Sequence, residues 1–445
     1  MTSQRSAAGA PLSEGRMGED ARRRRTDPII LAEDCVIDGG IGQTIPNYNV
    51  LVVGCTGSGK SLSVNYPTMF EMREASMIAN FPKAGEARQM AEHFREKGYR
   101  TLVLDLSDPG RSTVGFDPLQ YVSSYNDIDE LAAQSVMSVI QKTADDYWQR
   151  KAVPLIGALI AATLMTVDNA TFADVLDLFD RLHLTEDRYE ISTDLDDFFE
   201  RLKASAPDSY AVREFYNFRS LPVKTASCVR DTAAACLSAM YPESLRKLMR
   251  TRETIDFIDL ATEKTALFII TSPVITSLSC FCNLVYGTAA KQLLRFAAEC
   301  PDCRLPREVR LVFDDFAVSS KIHNFSGYLS VFRSAGISAI LLLQSESQLY
   351  ALYGQQDGQT IINNVSTYCY FSGGMDLTTC EHVAKRVNKS LDTILYSPLD
   401  RIYIMQAGQK PKITSRYPIL QDERYLRMQR SGAEKGGRQK TRERS

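Results

Sequence analysis

The chain has 445 residues, 44% of them hydrophobic and 24% charged, and its 52 Lys/Arg against 54 Asp/Glu leave a formal net charge of −2. That is ordinary globular composition, enough for two or three domains, and the balanced charge excludes a bulk polyanion binder. Ten scattered cysteines without regular spacing exclude a disulfide framework and suit a reducing cytosol.

The first 28 residues, MTSQRSAAGAPLSEGRMGEDARRRRTDP, hold no apolar core segment. They read as a disordered arm (1–28) with a basic block at Arg22 to Arg25, and not as a secretory signal. A first α/β portion is expected over 29–167. Within it, Asn49 to Val53 is short and rich in Val and Leu, the pattern of a buried strand, and the residues after Ser61 continue as a helix. Between them, Gly54, Cys55, Thr56, Gly57, Ser58, Gly59, Lys60 and Ser61 fit G-x-x-x-x-G-K-S/T. In that loop, glycines let backbone N–H groups converge on a β-phosphate, Lys60 reaches the β- and γ-phosphates, and Ser61 ligates magnesium. The helix N-terminus adds partial positive charge. The expected ligands are therefore ATP and Mg2+.

Ala152 to Val167 is uncharged up to the edge of the next polar stretch but shorter than the roughly 20 residues a membrane span needs. From 168 to 258 the pattern turns helical: FADVLDLFDRL and LDDFFERLKA carry apolar residues at three- and four-residue steps, and RDTAAACLSAMYPESLRKLMR is rich in Ala and Leu. An all-α insert is expected there, with the α/β fold resuming over 259–422. Thr265 to Ala290 is long enough to span a membrane but is broken by Thr, Ser, Pro and Asn, so it reads as a strand, a loop and a helix start. Cys300 and Cys303 have C-x-x-C spacing without a second pair or nearby histidines, which leaves a solvent loop or a metal site open and favours the loop.

A phosphate loop needs a carboxylate at the end of an apolar strand. Val309 to Phe313 is such a strand; Asp314 after it is the expected magnesium-side acid, and Asp315 the group that orients or deprotonates the attacking water. The same acidic pair could instead cap a following helix. A third strand, Ile337 to Leu343, ends on Gln344, placed to sense a γ-phosphate or its water, or to serve as a loop contact. The tail, 423–445, is expected to be disordered and basic: from Arg424 onward eight Lys/Arg face two Glu, which suits anionic partners or a solvated tail.

In this order, the motifs resemble the type IV secretion coupling proteins, the TraG/TraD-like ATPases of conjugative DNA transfer. NFPKAGEARQM at Asn80 is similar to the family's D-P-K-G-E segment, GFDPLQYV at Gly115 to its N-P-L-x-Y segment, and DDYWQRKAVPLIGALI to the helix leading to its all-α domain. FDDFAVSSKIHNFSGYLSVFRSAGISAILLLQSESQLYALYG and the later YFSGGMDLTTCEHVAKRVNKS complete the resemblance, which covers roughly residues 30 to 420. It implies an α/β fold, a RecA-like P-loop NTPase domain with an inserted all-α domain, assembled as a homo-hexameric ring with nucleotide at subunit interfaces. The implied partners are single-stranded DNA, the relaxase or relaxosome, and a type IV secretion channel or a small membrane partner protein. Arg333 matches the position where the family places a basic residue facing the neighbouring subunit, able to stabilise transition-state charge in trans; Arg386 is a second candidate, and a surface salt bridge is the alternative for both.

Three departures stand out. Asp315 replaces the usual Glu, with a side chain one methylene shorter. Asn80 stands where Asp is usual and the segment reads as if one residue were inserted, so no role is carried over to it. Most members start with membrane helices, whereas this nucleotide domain begins almost at once; the expected location is cytoplasmic, with recruitment to the inner face of the membrane through partners or the basic ends. The implied activity is an ATPase coupling protein. A nucleotide-gated receptor with little hydrolysis is the alternative, and a DNA-packaging or segregation ATPase a third reading.

Overall fold

The computed structural model describes residues 27–430 apart from 39–45, 140–146, 188–189, 273 and 319. The expected basic block at Arg22 to Arg25 and the end of the tail, 431–445, lie outside the described residues. Residues 27 and 28, the last two of the expected arm, are described and held in place. Asp27 is buried and its carboxylate accepts from the N–H groups of Arg73, Glu74 and Ala75 at 2.8 to 2.9 Å. The fully buried guanidinium of Arg310 donates to the carbonyls of Asp27 and Pro28. A short hairpin, β1 (Ile29–Ala32) and β2 (Cys35–Ile37), follows.

The α/β portion is built on strands β3 (Val50–Val53), β4 (Ser76–Phe81) and β5 (Arg100–Asp105), all before the helical insert. The insert carries its own small hairpin, β6 (Leu184–Asp187) and β7 (Glu190–Thr193). The sheet resumes with β8 (Thr265–Ile270), β9 (Val309–Phe313), β10 (Ile337–Leu343), β11 (Thr367–Phe371), β12 (Arg401–Gln406) and β13 (Lys412–Ser415). The nine-stranded order is β13-β12-β11-β3-β10-β9-β4-β8-β5, parallel from β11 to β5, with β12 and β13 added antiparallel at one edge. The central strands read as continuous apolar runs because both faces are covered. Alternate side chains sort to the two faces: Leu51, Val53, Leu311 and Leu341 join one core, and Val50, Val52, Val312 and Ile340 the other.

The insert begins earlier than residue 168. The helix Tyr147–Thr166 is its centre, packed by Tyr125–Met137, Phe172–Asp180, Tyr210–Arg219 and Val223–Met240. It is apolar nearly all round because neighbours surround it, a pattern that in sequence is indistinguishable from a helix lying on the sheet. The entry and exit strands pair at Gly115 and Thr254, with Gly115 N–H bonded to Glu253 O at 2.7 Å and Ile255 N–H to Gly115 O at 3.2 Å. A Cβ at Gly115 would lie 2.5 Å from Leu248 O, so only glycine fits this joint. Two residues on, the buried Asp117 accepts from the N–H groups of Leu119 and Phe172, stapling the GFDPLQYV segment to the insert.

The start of the expected tail is ordered too. Residues 423–430 are helical, and Tyr425 and Met428, three apart among arginines, are buried. Tyr425 stands edge-on to Tyr66, and Arg424 pairs with Glu71 at 2.6 Å, so this turn covers the helix that leaves the phosphate loop.

Candidate functional site

The loop 54–60 joins β3 to a helix at the carboxyl ends of the parallel strands. Gly54 N–H donates to Leu343 O at 3.1 Å, anchoring the loop to the end of β10. A side chain at Gly54 would collide with Phe371 and Ser58, and Gly57 and Gly59 hold φ of +77° and +83°, so the backbone curls into a cradle that other residues disfavour. The helix opens with a widened turn, Ser61–Asn65, in which Tyr66 N–H reaches back five residues to Ser61 O; such turns recur at functional sites. Ser58 Oγ is buried inside the cradle with no hydrogen-bond partner. An orphaned hydroxyl beside converging N–H groups fits a phosphate oxygen.

Lys60 is buried, and its ammonium donates to Gly54 O at 2.6 Å and Cys55 O at 3.0 Å. Burial lowers its pKa, opposed by the nearby carboxylates of Asp315 and Asp314. Ser61 Oγ donates to Asp314 Oδ1 at 2.6 Å. Burial pushes Asp314 up to about 6, and Asp315 adds to this, while the Ser61 hydrogen bond and Lys60 oppose it. A hydroxyl and a carboxylate in contact beside a phosphate cradle are the oxygen donors a magnesium ion takes.

Asp315 is exposed and sits at φ +60°, with Ala317 at +62°, two left-handed non-glycine residues in one turn. Asp314, Asp315, Asn80 and Gln344 line one cavity of about 180 Å3. Gln344 also lines a second cavity with Cys55, Thr56 and Tyr370, so it stands between the phosphate loop and the acidic turn. Lys60, Ser61, Asp314, Asp315 and Gln344 are thus gathered at one end of the sheet.

Arg333 is not brought there. It lies in the last turn of the helix Phe325–Ala335, which runs back to the start of β10, at the opposite end of the sheet, and its side chain is exposed. Arg386 is committed elsewhere: with His382 and Tyr368 it satisfies the fully buried carboxylate of Glu346, at 2.7, 2.6 and 2.8 Å. Cys300 and Cys303 are free thiols, and no group of metal-ligating side chains is present among the described residues.

One site residue had no role assigned from sequence. Asn80, at the end of β4, accepts from Asp314 N–H and donates to Asp314 O, both at 2.8 Å, and so fixes the backbone of the acidic residue. Its signal is a polar side chain in the otherwise apolar run SMIANF.

This sheet order, phosphate loop and neighbouring acidic strand end define an α/β RecA-like P-loop NTPase with an inserted all-α domain. The chain belongs to the Type IV secretory system Conjugative DNA transfer family, whose family model matches residues 8–390. Among solved structures it is similar to the plasmid coupling protein TrwB in complex with ADP and Mg2+, at 18% identity and TM-score 0.64, covering 92% of this chain and 95% of that one. The unbound monoclinic form of the bacterial conjugative coupling protein TrwBdeltaN70 gives 17% identity, TM-score 0.63 and 92% of both chains. VirB4 of Thermoanaerobacter pseudethanolicus gives 13% identity and TM-score 0.53, over 88% and 96%. No curated protein matches. Among the described residues, no helix is long and apolar enough to cross a membrane.

Proposed function

We propose that this chain is a magnesium-dependent ATPase that couples ATP hydrolysis to delivery of single-stranded DNA, or a relaxase–DNA complex, to a type IV secretion channel. The observation that carries this reading is the Ser61–Asp314 hydrogen bond beside the Lys60 ammonium, in a chain of the conjugative DNA transfer family. The TrwB structures with ADP and Mg2+ and with the ATP analogue ADPNP support it.

In this reading the N–H groups of residues 54–61 cradle the phosphates and Lys60 turns from the loop carbonyls to the β- and γ-oxygens. Ser61 and Asp314 would hold magnesium, whose chemistry there would be to neutralise charge on the transferred phosphoryl group. Asp315 accepts a proton from water, and Gln344 orients that water. Arg333, exposed at the far end of the sheet, serves the site of a neighbouring subunit in a homo-hexamer. The protein works in the cytoplasm, held at the inner face of the membrane by a partner. A second reading, a nucleotide-gated receptor with little hydrolysis, is favoured by the short Asp315 side chain on its left-handed backbone.

The test is ATP hydrolysis by purified protein with and without single-stranded DNA, beside Lys60→Ala. Turnover that DNA accelerates and Lys60→Ala abolishes is the expected result. ATP binding without hydrolysis, even with DNA and candidate partners supplied, would leave the receptor.

A further inference from the structure

A second cation lies against the phosphate loop, and no motif announces it. Arg416 directly follows β13, and its N–H bonds to Asp400 O at 3.2 Å. The guanidinium leans on Gly59: Nη1 is 3.2 Å, and Cδ 3.9 Å, from the place a Cβ on Gly59 would occupy. Its Nε is buried without an acceptor, and no carboxylate pairs with the side chain among the described residues. An arginine is permanently charged and carries five donors in a planar fork; here the side chain is half-buried and its shielded Nε faces no acceptor, so an anion at the loop would supply the missing oxygen. Twenty-five ion pairs among the described residues show how readily the cations of this molecule otherwise find carboxylates.

We propose that Arg416 is a phosphate-binding residue of this same site, donating from its own subunit to the α/β-phosphate end of a nucleoside di- or triphosphate. The inference rests on the nucleotide reading above. The γ-phosphate end is marked by Asp314 and Gln344, at the ends of β9 and β10. Arg416 arrives from β13, on the other side of β3 beyond β11 and β12. It therefore meets phosphates that ADP and ATP share, and its contribution is the same for both. Gly59 is doubly constrained, since its positive φ curls the loop and its missing side chain admits the guanidinium.

The experiment measures binding of fluorescent ADP and ATP, with magnesium, to wild type, Lys60→Ala, Arg416→Ala, Arg416→Gln and Arg416→Lys. The expected result is that Arg416→Ala and Arg416→Gln weaken ADP and ATP by one common factor of about tenfold, the scale of a charge-assisted phosphate contact, and that Arg416→Lys recovers part of it. Hydrolysis by Arg416→Ala shows a raised KM with kcat nearly unchanged, the pattern of lost uniform binding. Without nucleotide, the Ala and Gln variants melt no lower than wild type, because no partner is lost. Wild-type affinity in Arg416→Ala, a loss for ATP but not ADP, or a markedly lower melting temperature in both variants would overturn the proposal. Wild type that binds neither nucleotide would overturn the nucleotide reading itself.

Discussion

Replacing Asp314 by Asn should stabilise the nucleotide-free protein while removing hydrolysis. The carboxyl is held near pKa 6 against an ordinary value of 3.8, chiefly by burial. At 1.36 kcal/mol per pH unit this difference sets an upper bound of about 3 kcal/mol on the cost of keeping Asp314 charged at neutral pH. The pull of the Ser61 hydrogen bond and of Lys60 toward the charged form is already contained in that difference, and Asn keeps an acceptor for Ser61. The gain at pH 7.5 is therefore up to about 3 kcal/mol, a rise of a few degrees in melting temperature. The sign of the pH dependence follows from proton binding. Between 3.8 and about 6 the folded protein holds the Asp314 proton more tightly than the unfolded chain, so stability falls as pH rises through that window and levels off above it. The variant lacks this dependence. Asp117, also pushed up to about 6 by burial, titrates in both proteins and cancels in the difference. Thermal melts of wild type and Asp314→Asn from pH 4 to 7.5 read it directly: the variant's advantage should grow across the window. A variant that melts lower at pH 7.5, or a pH-independent difference, would refute the reasoning.

Asn80→Ala removes both hydrogen bonds that bracket the Asp314 backbone; it should cost about 1 to 3 kcal/mol in chemical denaturation and lower kcat more than it changes KM. A normal kcat would separate Asp314 from this clamp. Gly115→Ala places a methyl 2.5 Å from Leu248 O and 2.6 Å from Thr251 Cβ at the joint of the two domains, and should destabilise by about 1 to 3 kcal/mol. Wild-type stability there would mean that the joint gives way without cost.

Much of the site was legible because its parts lie on short buried strands whose ends are chemically marked. Val50–Val53, Val309–Phe313 and Ile337–Leu343 are apolar runs stopped by Gly54, Asp314 and Gln344, and a parallel sheet brings such ends together whatever their separation in sequence. The start of the helical insert was not legible. Ala152 to Thr163 is apolar whether it lies against a sheet or within a bundle, and only the packing of Tyr147–Thr166 decides between them. The roles of Asn80 and Arg416 depend on neighbours more than 230 and 350 residues away in the chain, Asp314 and Gly59, so no local pattern contains them. Arg386 fits a functional position in sequence, and its commitment to Glu346 appears only when three elements meet.

The insert and the end of the sheet that carries the candidate site are joined by one long helix. Near its start, the helix Thr276–Glu299 contributes Ser279 and Asn283 to the cavity that holds Asp314, Asp315 and Gln344. One turn on, Tyr286 donates to Val312 O at 2.7 Å, directly beside the Asn80 clamp on Asp314. Toward its other end, Lys291 pairs with Asp127 and Glu130, and Arg295 with Asp127, on the first helix of the insert. Asp127 is almost fully buried there, and these cations hold its carboxyl far below the usual range against the opposing effect of burial. The helix therefore runs from the neighbourhood of Asp314 to an ion-pair cluster in which the Asp127 carboxylate is buried while the Arg295 side chain is 41% exposed. Such pairs tolerate little loosening, since separating them strands a buried charge. Thr276–Glu299 thus makes contact with both the candidate phosphate site and the inserted domain, the physical continuity that any coupling between them through this helix requires.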